Sequence, residues 1–134
     1  ISMVLFSCKE KVQKENKVTE KLTNKIEVID FHSTHRCMTC KAIEANVNYT
    51  LDTYFSEEVN NNKISFLIIN VDEEENFQKA EKFEATGTAL FLNVIVNGKE
   101  TPIDLTDFAF MNGTDQKTFS EELKIKIETE LTKI

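Results

Sequence analysis

Two cysteines separated by two residues, Cys37-Met38-Thr39-Cys40, are the side chains of this sequence best suited to chemistry. They follow a run of strand character, residues 26–31, and open a segment in which apolar residues recur every four positions: Ile43, Val47, Leu51 and Phe55. Two thiols at this spacing on the first turn of a helix can close into a disulfide with little backbone movement, and the helix N-terminus stabilises the first thiolate. A C-x-x-C between a strand and an amphipathic helix indicates a thiol–disulfide redox site.

The first cysteine of this motif is the expected nucleophile. Cys37 would lie at the exposed start of the helix, where the side chains of His35, Arg36 and Lys41 would favour its thiolate. Cys40, one turn later and more buried, would resolve the mixed disulfide that Cys37 forms with a partner. The motif is locally basic within an acidic protein, and this contrast favours thiolate chemistry.

The same segment admits two other interpretations. His32, His35, Cys37 and Cys40 offer four metal-ligating side chains within nine residues. Structural zinc sites normally place about a dozen or more residues between their two ligand pairs, so this turn would have to fold back on itself to gather all four. A purely structural disulfide is the third possibility, and the residues alone leave all three open.

The hydrophobic pattern places the motif in an alternating series of strands and helices. The strand of residues 26–31 precedes a helix over residues 37–55. A nearly all-apolar run, residues 64–71, predicts a strand buried on both faces. Residues 57–62 are expected to form a loop, and acidic residues 72–75 open a second helix, where the helix dipole favours them.

The last third of the chain predicts a hairpin and a final helix. A run over residues 90–96 ends at Asn97-Gly98, the strongest short hairpin signal, so residues 100–105 should return antiparallel. Residues 118–121 look like a capping box that starts the final helix. One parallel crossover followed by an antiparallel pair predicts an α/β fold, with a mixed central sheet and helices on both faces.

Length and charge limit the classes of function. The 134 residues suit one core, and the net charge of −7 argues against a nucleic-acid partner, whose phosphates need Lys and Arg. No segment approaches the roughly 20 apolar residues that would span a bilayer. No G-x-G-x-x-G is present, so no flavin or nicotinamide cofactor is expected.

The first residues resemble the end of a lipoprotein signal. Leu5-Phe6-Ser7-Cys8 is similar to a bacterial lipobox, whose cysteine is lipidated. Residues 1–17 would then be residual signal and flexible tether, and residues 18–134 the domain. We expect a protein of the bacterial cell envelope, attached to the membrane only through Cys8. A short N-terminal strand and a cytoplasmic location are the alternatives.

Residues 18–134 resemble the thioredoxin-like superfamily. The resemblance rests on the order of elements, on the C-x-x-C that opens the first core helix, and on residues 87–99, where Gly-Thr leads into a strand and an Asn-Gly turn. It implies a three-layer sandwich of βαβαββα order that acts, without a cofactor, on protein thiols and disulfides or on a small thiol. We expect a monomer.

The resemblance also implies roles for single residues. Asp30 would be a buried carboxylate assisting proton transfer from Cys40, although it lies one residue farther from the first cysteine than in the family pattern. Thr88 would flank the substrate groove. The family's cis-proline falls at Ala89, and its aromatic residue before the first cysteine is Arg36. Ala89 would leave the sulfurs more open to a soft ion such as copper(I), zinc or arsenite.

Residues 32–41 are further similar to bacterial thioredoxin-like proteins described as a nitroreductase subunit of an arsenic-operon type. Three hypotheses follow for the chain. The first is a thiol–disulfide oxidoreductase in which Cys37 attacks a partner and Cys40 releases it. The second is a non-enzymatic module that binds a thiophilic metal or metalloid through the same cysteines. The third is a thioredoxin-fold binding subunit whose disulfide is structural.

Overall fold

Four strands form one mixed sheet in the computed structural model, which describes residues 24–134. The strands are β1 (Lys25–His32), β2 (Ile64–Asn70), β3 (Ala89–Val96) and β4 (Lys99–Asp104), in the spatial order β2-β1-β3-β4. β1 pairs parallel with β2 and antiparallel with β3, and β3 pairs antiparallel with β4. The predicted crossover and hairpin are both confirmed.

Five helices accompany the sheet. They are α1 (Met38–Tyr54), α2 (Ser56–Asn60), α3 (Phe77–Lys82), α4 (Thr106–Asn112) and α5 (Gln116–Leu131). The acidic segment after β2 enters a short 3-10 turn, Glu74–Asn76, which continues into α3. Helices α1 and α5 cover one face of the sheet and α3 covers the other. The predicted α/β class, with a mixed sheet between two helical layers, is confirmed.

Alternate residues of β1 face opposite layers, as the two-residue period of a strand requires. Ile26 and Val28 enter the larger core, which contains the apolar stripes of α1 and α5. Ile29 and Phe31 enter a smaller core beneath α3, where Phe31 packs edge-on against Phe91 with ring centroids 5.9 Å apart. The next residue on the larger-core side of β1 is Asp30, so the strand delivers a carboxyl group beneath α1.

The β3–β4 turn has the conformation that its sequence predicts. Asn97 and Gly98 both have positive φ, 52° and 78°. Two consecutive positive φ values belong to the type I′ turn, whose twist matches that of the flanking strands, and Asn-Gly adopts them at low cost. The turn fixes the pairing of Val96 with Lys99.

The apolar run of β2 was expected to be buried on both faces, and this expectation is wrong. Within residues 24–134 β2 lies at the edge of the sheet, with β1 as its paired neighbour. Ile64 and Ile69 are buried, whereas Ile68 is 44% exposed. An uninterrupted apolar run is therefore not sufficient evidence that both faces of a strand are covered.

Three helical features also differ from the prediction. The final helix begins at Gln116 rather than at Thr118, because the carboxylate of Asp115 accepts a hydrogen bond from the backbone N–H of Thr118 at 3.1 Å and so caps the helix earlier. The expected loop after α1 contains helix α2. Helix α4, between β4 and α5, was not expected at all, so the order has two helices more than βαβαββα.

The lipidation predicted at Cys8 and the tether predicted over residues 1–17 lie outside the described residues. Within residues 24–134, no helix has the length and apolar content needed to cross a membrane.

The junction between α4 and α5 packs against the start of α1. Asn46 Nδ2 of α1 donates a hydrogen bond to the carbonyl oxygen of Gly113 at 2.9 Å. A Cβ atom at Gly113 would lie 2.8 Å from Cγ2 of Thr39 and 3.1 Å from the carbonyl oxygen of Ala109. Thr39 stands between the two cysteines, so this glycine allows α4 to approach the C-x-x-C turn.

Replacing Gly113→Ala should therefore strain that contact. The φ of Gly113 is −57°, which any residue adopts, so the change tests packing without added backbone strain. We expect the free energy of unfolding to fall by about 1–3 kcal/mol, measured by urea denaturation. Thr39→Ser, which removes Cγ2, should restore part of the loss in the double variant. Equal losses in the single and double variants would contradict this account.

Candidate active site

Cys37 and Cys40 form a disulfide at the N-terminus of α1, with their Cα atoms 5.1 Å apart. Cys37 is the N-cap residue, with an extended backbone, and its Sγ accepts a hydrogen bond from the N–H of Cys40 at 3.1 Å. Cys37 is exposed, whereas Cys40 is only 6% exposed. A partner can therefore reach the first sulfur and not the second.

The loop before α1 is attached to the end of β2. The N–H of Thr34 donates to Oδ2 of Asp72 at 2.7 Å, and Asn70 Nδ2 donates to Oγ1 of Thr34 at 3.2 Å. The hydrogen bonds from Thr34 lower the pKa of Asp72 from its usual value, and the nearby His35 and His32 lower it further. Parallel pairing of β1 with β2 brings the carboxyl ends of both strands to this edge, where the cysteines lie.

Thr88 contacts the buried sulfur directly. Its Oγ1 lies 3.1 Å from Sγ of Cys40 and donates a hydrogen bond to it. The resemblance predicted only that Thr88 flanks the substrate groove. In the structure its side chain also contacts the buried cysteine. The 88–89 peptide bond is trans, as are all peptide bonds among residues 24–134. Ala89 is the first residue of β3 and pairs with Phe31.

Asp30 is fully buried on the α1 side of β1. Cys40 and Glu44 lie one turn apart on the helix above it. Burial raises the pKa of Asp30 to about 7, while the Arg36 guanidinium acts to lower it and the Glu44 carboxylate acts to raise it. The buried carboxyl group therefore titrates near neutral pH rather than in the usual acidic range of an aspartate.

Arg36 points inward rather than towards Cys37. Its Nη1 donates to Oε2 of Glu44 at 2.5 Å, and its Nη2 lies 3.8 Å from Oδ2 of Asp30. The side chain is 18% exposed. The sequence had suggested Arg36 as a cation acting on the first thiolate. In the structure its charge is engaged by two carboxylates, and the sequence analysis overlooked Glu44. The spacing of four residues from Cys40 to Glu44 is the signal that would have indicated it.

The remaining basic side chains lie at the surface around the motif. His35 and Lys41 are exposed, and His32 Nδ1 donates to the carbonyl oxygen of Ser33 at 2.8 Å. Among residues 24–134, no group of three or more His, Cys, Asp or Glu side chains is arranged to hold a metal ion. The two histidines and the two cysteines are therefore not gathered into the four-ligand set considered from the sequence.

An open groove of about 530 Å³ adjoins Thr88 and Ala89. It runs from the end of α3 to the junction between β4 and α4, and its rim contains Glu84, Asp104 and Asp107. Thr88 lines the groove and also contacts Cys40, whereas neither cysteine lines the groove itself.

Comparison with known proteins gives matches of fold only. No protein-family model and no curated protein sequence matches the chain. Among solved structures, oxidized mitochondrial thioredoxin 3 from Saccharomyces cerevisiae is 23% identical over 69% of this chain and 78% of its own, with a TM-score of 0.44. Deadhead, a germline-specific thioredoxin from Drosophila melanogaster, is 21% identical over 78% and 83%, with a TM-score of 0.46. Thioredoxin from Fasciola hepatica is 21% identical over 77% and 85%, with a TM-score of 0.44.

The buried Asp30 should make the protein less stable as pH rises. Its pKa is about 7 in the folded protein and about 3.9 in an unfolded chain, so the folded state binds the proton more tightly. Between those two values the free energy of unfolding loses on the order of 4 kcal/mol. Asp30→Asn removes this loss. Urea denaturation should therefore show that the free energy of unfolding of the variant rises relative to that of the native protein from about pH 4 to pH 8. A difference between the two proteins that does not change with pH would contradict the assignment.

Thr88 should stabilise the thiolate of Cys40 once the disulfide is reduced. Thr88→Val removes the hydroxyl donor and preserves the shape of the side chain, whereas Thr88→Ser keeps the donor. We expect the Cys40 thiolate to form about one pH unit higher in the Val variant, because a hydrogen bond to the charged form is lost. The measurement is the pH dependence of the Cys40 ¹³Cβ chemical shift in reduced protein. Identical titrations of the Val and Ser variants would show that the hydroxyl has no such effect.

Proposed function

We propose that this protein is a thiol–disulfide oxidoreductase that works through Cys37 and Cys40. The observation that carries the proposal is the asymmetry of the disulfide, with one exposed cysteine at the N-terminus of α1 and one buried cysteine a turn later. A catalytic disulfide needs this arrangement, because one sulfur must meet a partner and the other must be kept from it. A structural disulfide has no such requirement.

The reaction begins from the reduced pair. The Cys37 thiolate attacks one sulfur of a partner disulfide, which forms a mixed disulfide and releases the other partner sulfur as a thiolate that takes up a proton. The Cys40 thiolate then attacks Sγ of Cys37, which closes the Cys37–Cys40 disulfide and releases the second partner thiol. The partner gains two electrons and two protons, and this protein loses them.

Backbone dipoles and the capping hydrogen bond support the first step. The N-terminus of α1 favours a negative charge at Cys37, and the Cys40 N–H that donates to Cys37 Sγ would also donate to its thiolate. The exposed cation of Lys41, one turn into the helix, adds to this field.

Asp30 and Thr88 support the second step. Cys40 must lose its proton before it can attack, and the carboxylate of Asp30, whose pKa is about 7, can accept that proton near neutral pH. The hydroxyl of Thr88, which donates to Cys40 Sγ, would stabilise the thiolate that results.

The partner that suits this site is a protein disulfide, with a small thiol as the other possibility. The groove is lined by Thr88 and Ala89, and Thr88 also contacts Cys40, so an extended segment bound in the groove would reach the cysteine pair from the Thr88 side. The lipobox-like Leu5-Phe6-Ser7-Cys8 supports a place in the bacterial cell envelope, and the likeness of residues 32–41 to arsenic-operon proteins supports a bacterial source. A monomer suffices for the reaction, since both sulfurs belong to one chain.

The test is the trapping of a mixed disulfide. With Cys8→Ser present in both variants so that no other thiol reacts, reduced Cys40→Ser protein incubated with a disulfide-containing peptide should accumulate a covalent adduct at Cys37 that mass spectrometry detects, because no second thiol resolves it. Cys37→Ser is the matched control and should form at least tenfold less adduct, since Cys40 is buried. The native pair should titrate reversibly between about −270 and −120 mV against glutathione. A potential below about −300 mV without adduct formation would mean a structural disulfide.

A further inference from the structure

We propose that Arg36 and Glu44 are positioning residues that set the pH range in which Asp30 can take the proton of Cys40. This inference rests on the proposed function. It concerns a cluster of three charged groups from the strand, loop and helix that surround the cysteine turn.

Arg36 contacts the two carboxyl groups of the cluster unequally. The guanidinium of Arg36 is hydrogen-bonded to Glu44 at 2.5 Å, whereas its Nη2 stays 3.8 Å from Asp30, beyond hydrogen-bond distance. Both carboxyl oxygens of Asp30, together with Nε and Nη2 of Arg36, are buried without a hydrogen-bond partner. The cation therefore has unused donors facing a carboxyl group with unused acceptors, and Glu44 holds it on the other side.

This arrangement makes Glu44 and Asp30 competitors for one cation. When Asp30 is protonated, Arg36 and Glu44 form a neutral pair. When Asp30 is ionised, two carboxylates share one guanidinium, and the cluster carries one net negative charge away from water. Such a charge is costly to bury, and the cost depends on how strongly the Arg36 guanidinium interacts with the Asp30 carboxylate.

Few other groups act on Asp30 from the elements packed around it. The residues paired with it on the neighbouring strands are Ile68 and Leu90, both uncharged. Helix α1 contributes Cys40, whose sulfur accepts from Thr88, besides Glu44. His32 lies two residues further along β1. Its ring is hydrogen-bonded to the carbonyl oxygen of Ser33, and its charge acts to lower the pKa of Asp72. Among the described charged residues, the two that act on Asp30 are thus Arg36 and Glu44.

The cluster predicts opposite effects for the two halves of one ion pair. Glu44→Gln keeps the shape of the side chain and releases Arg36 to Asp30, so Asp30 should ionise about one pH unit lower. Arg36→Met removes the cation, so Asp30 should ionise about one unit higher. If the ion pair were purely structural, both variants would lose stability. The Asp30 titration would then not shift in opposite directions in the two variants.

The primary measurement is the ¹³C carboxyl titration of Asp30 by NMR in the oxidised protein, where the closed disulfide separates it from redox chemistry. Arg36→Lys keeps the charge and should titrate close to the native protein. Asp52→Asn, an exposed carboxylate of the same helix, is the matched control for Glu44→Gln and should leave the Asp30 titration unchanged. Shifts in one direction for both Glu44→Gln and Arg36→Met, or no shift in Glu44→Gln, overturn the inference.

The second measurement links the cluster to the reaction. The rate at which Cys40 resolves a preformed mixed disulfide, followed against pH, should have an inflection that moves with the Asp30 titration in each variant. If the pH at which Asp30 titrates shifts and this inflection does not, the inference is overturned while the proposed function stands. If reduced protein carrying Cys40→Ser forms no mixed disulfide at Cys37, the proposed function itself falls.

Discussion

The exclusion of the Asp30 carboxyl group from water is the constraint on which the rest of the site depends. Burial opposes its ionisation, and the charges on Arg36 and Glu44 act on it in opposite directions. The balance leaves an acid that titrates near neutral pH directly below α1. A more exposed aspartate would be permanently ionised and a poor proton acceptor, because a useful acceptor titrates near the working pH.

The fold provides that environment through simple periodicities. The alternation of β1 that buries Ile26 and Val28 places Asp30 on the same side, at the end of the strand. The period of α1 then puts Cys40 and Glu44 on the helix face above it. The hydrogen bonds of Thr34 join the intervening loop to β2, which fixes the direction in which Arg36 enters. The core and the candidate site are thus produced by the same alternation of residues.

Much of this could be predicted from the sequence, because it depends on local spacing. Residues close together in the sequence determine three of these features: the C-x-x-C at the start of a helix, the apolar stripe of α1 and the Asn-Gly hairpin. The edge position of β2 among the strands of residues 24–134 depends on strand order, which an apolar run does not encode. The inward turn of Arg36 depends on Glu44, eight residues away, and the contact of Thr88 with Cys40 spans 48 residues. Such contacts are set by tertiary packing, which local patterns do not contain.

The short distance between the two cysteines also has a kinetic consequence. In the proposed reaction, with the Cα atoms 5.1 Å apart, Cys40 would meet the mixed disulfide at Cys37 as an intramolecular nucleophile. Well-oriented intramolecular reactions reach effective concentrations of about 10⁵–10⁸ M, far above any cellular thiol. The lifetime of a covalently bound partner would therefore be governed by this protein and not by the surrounding thiol pool. Under the proposed function, discrimination among partners would have to occur during the encounter, before the intermolecular bond forms.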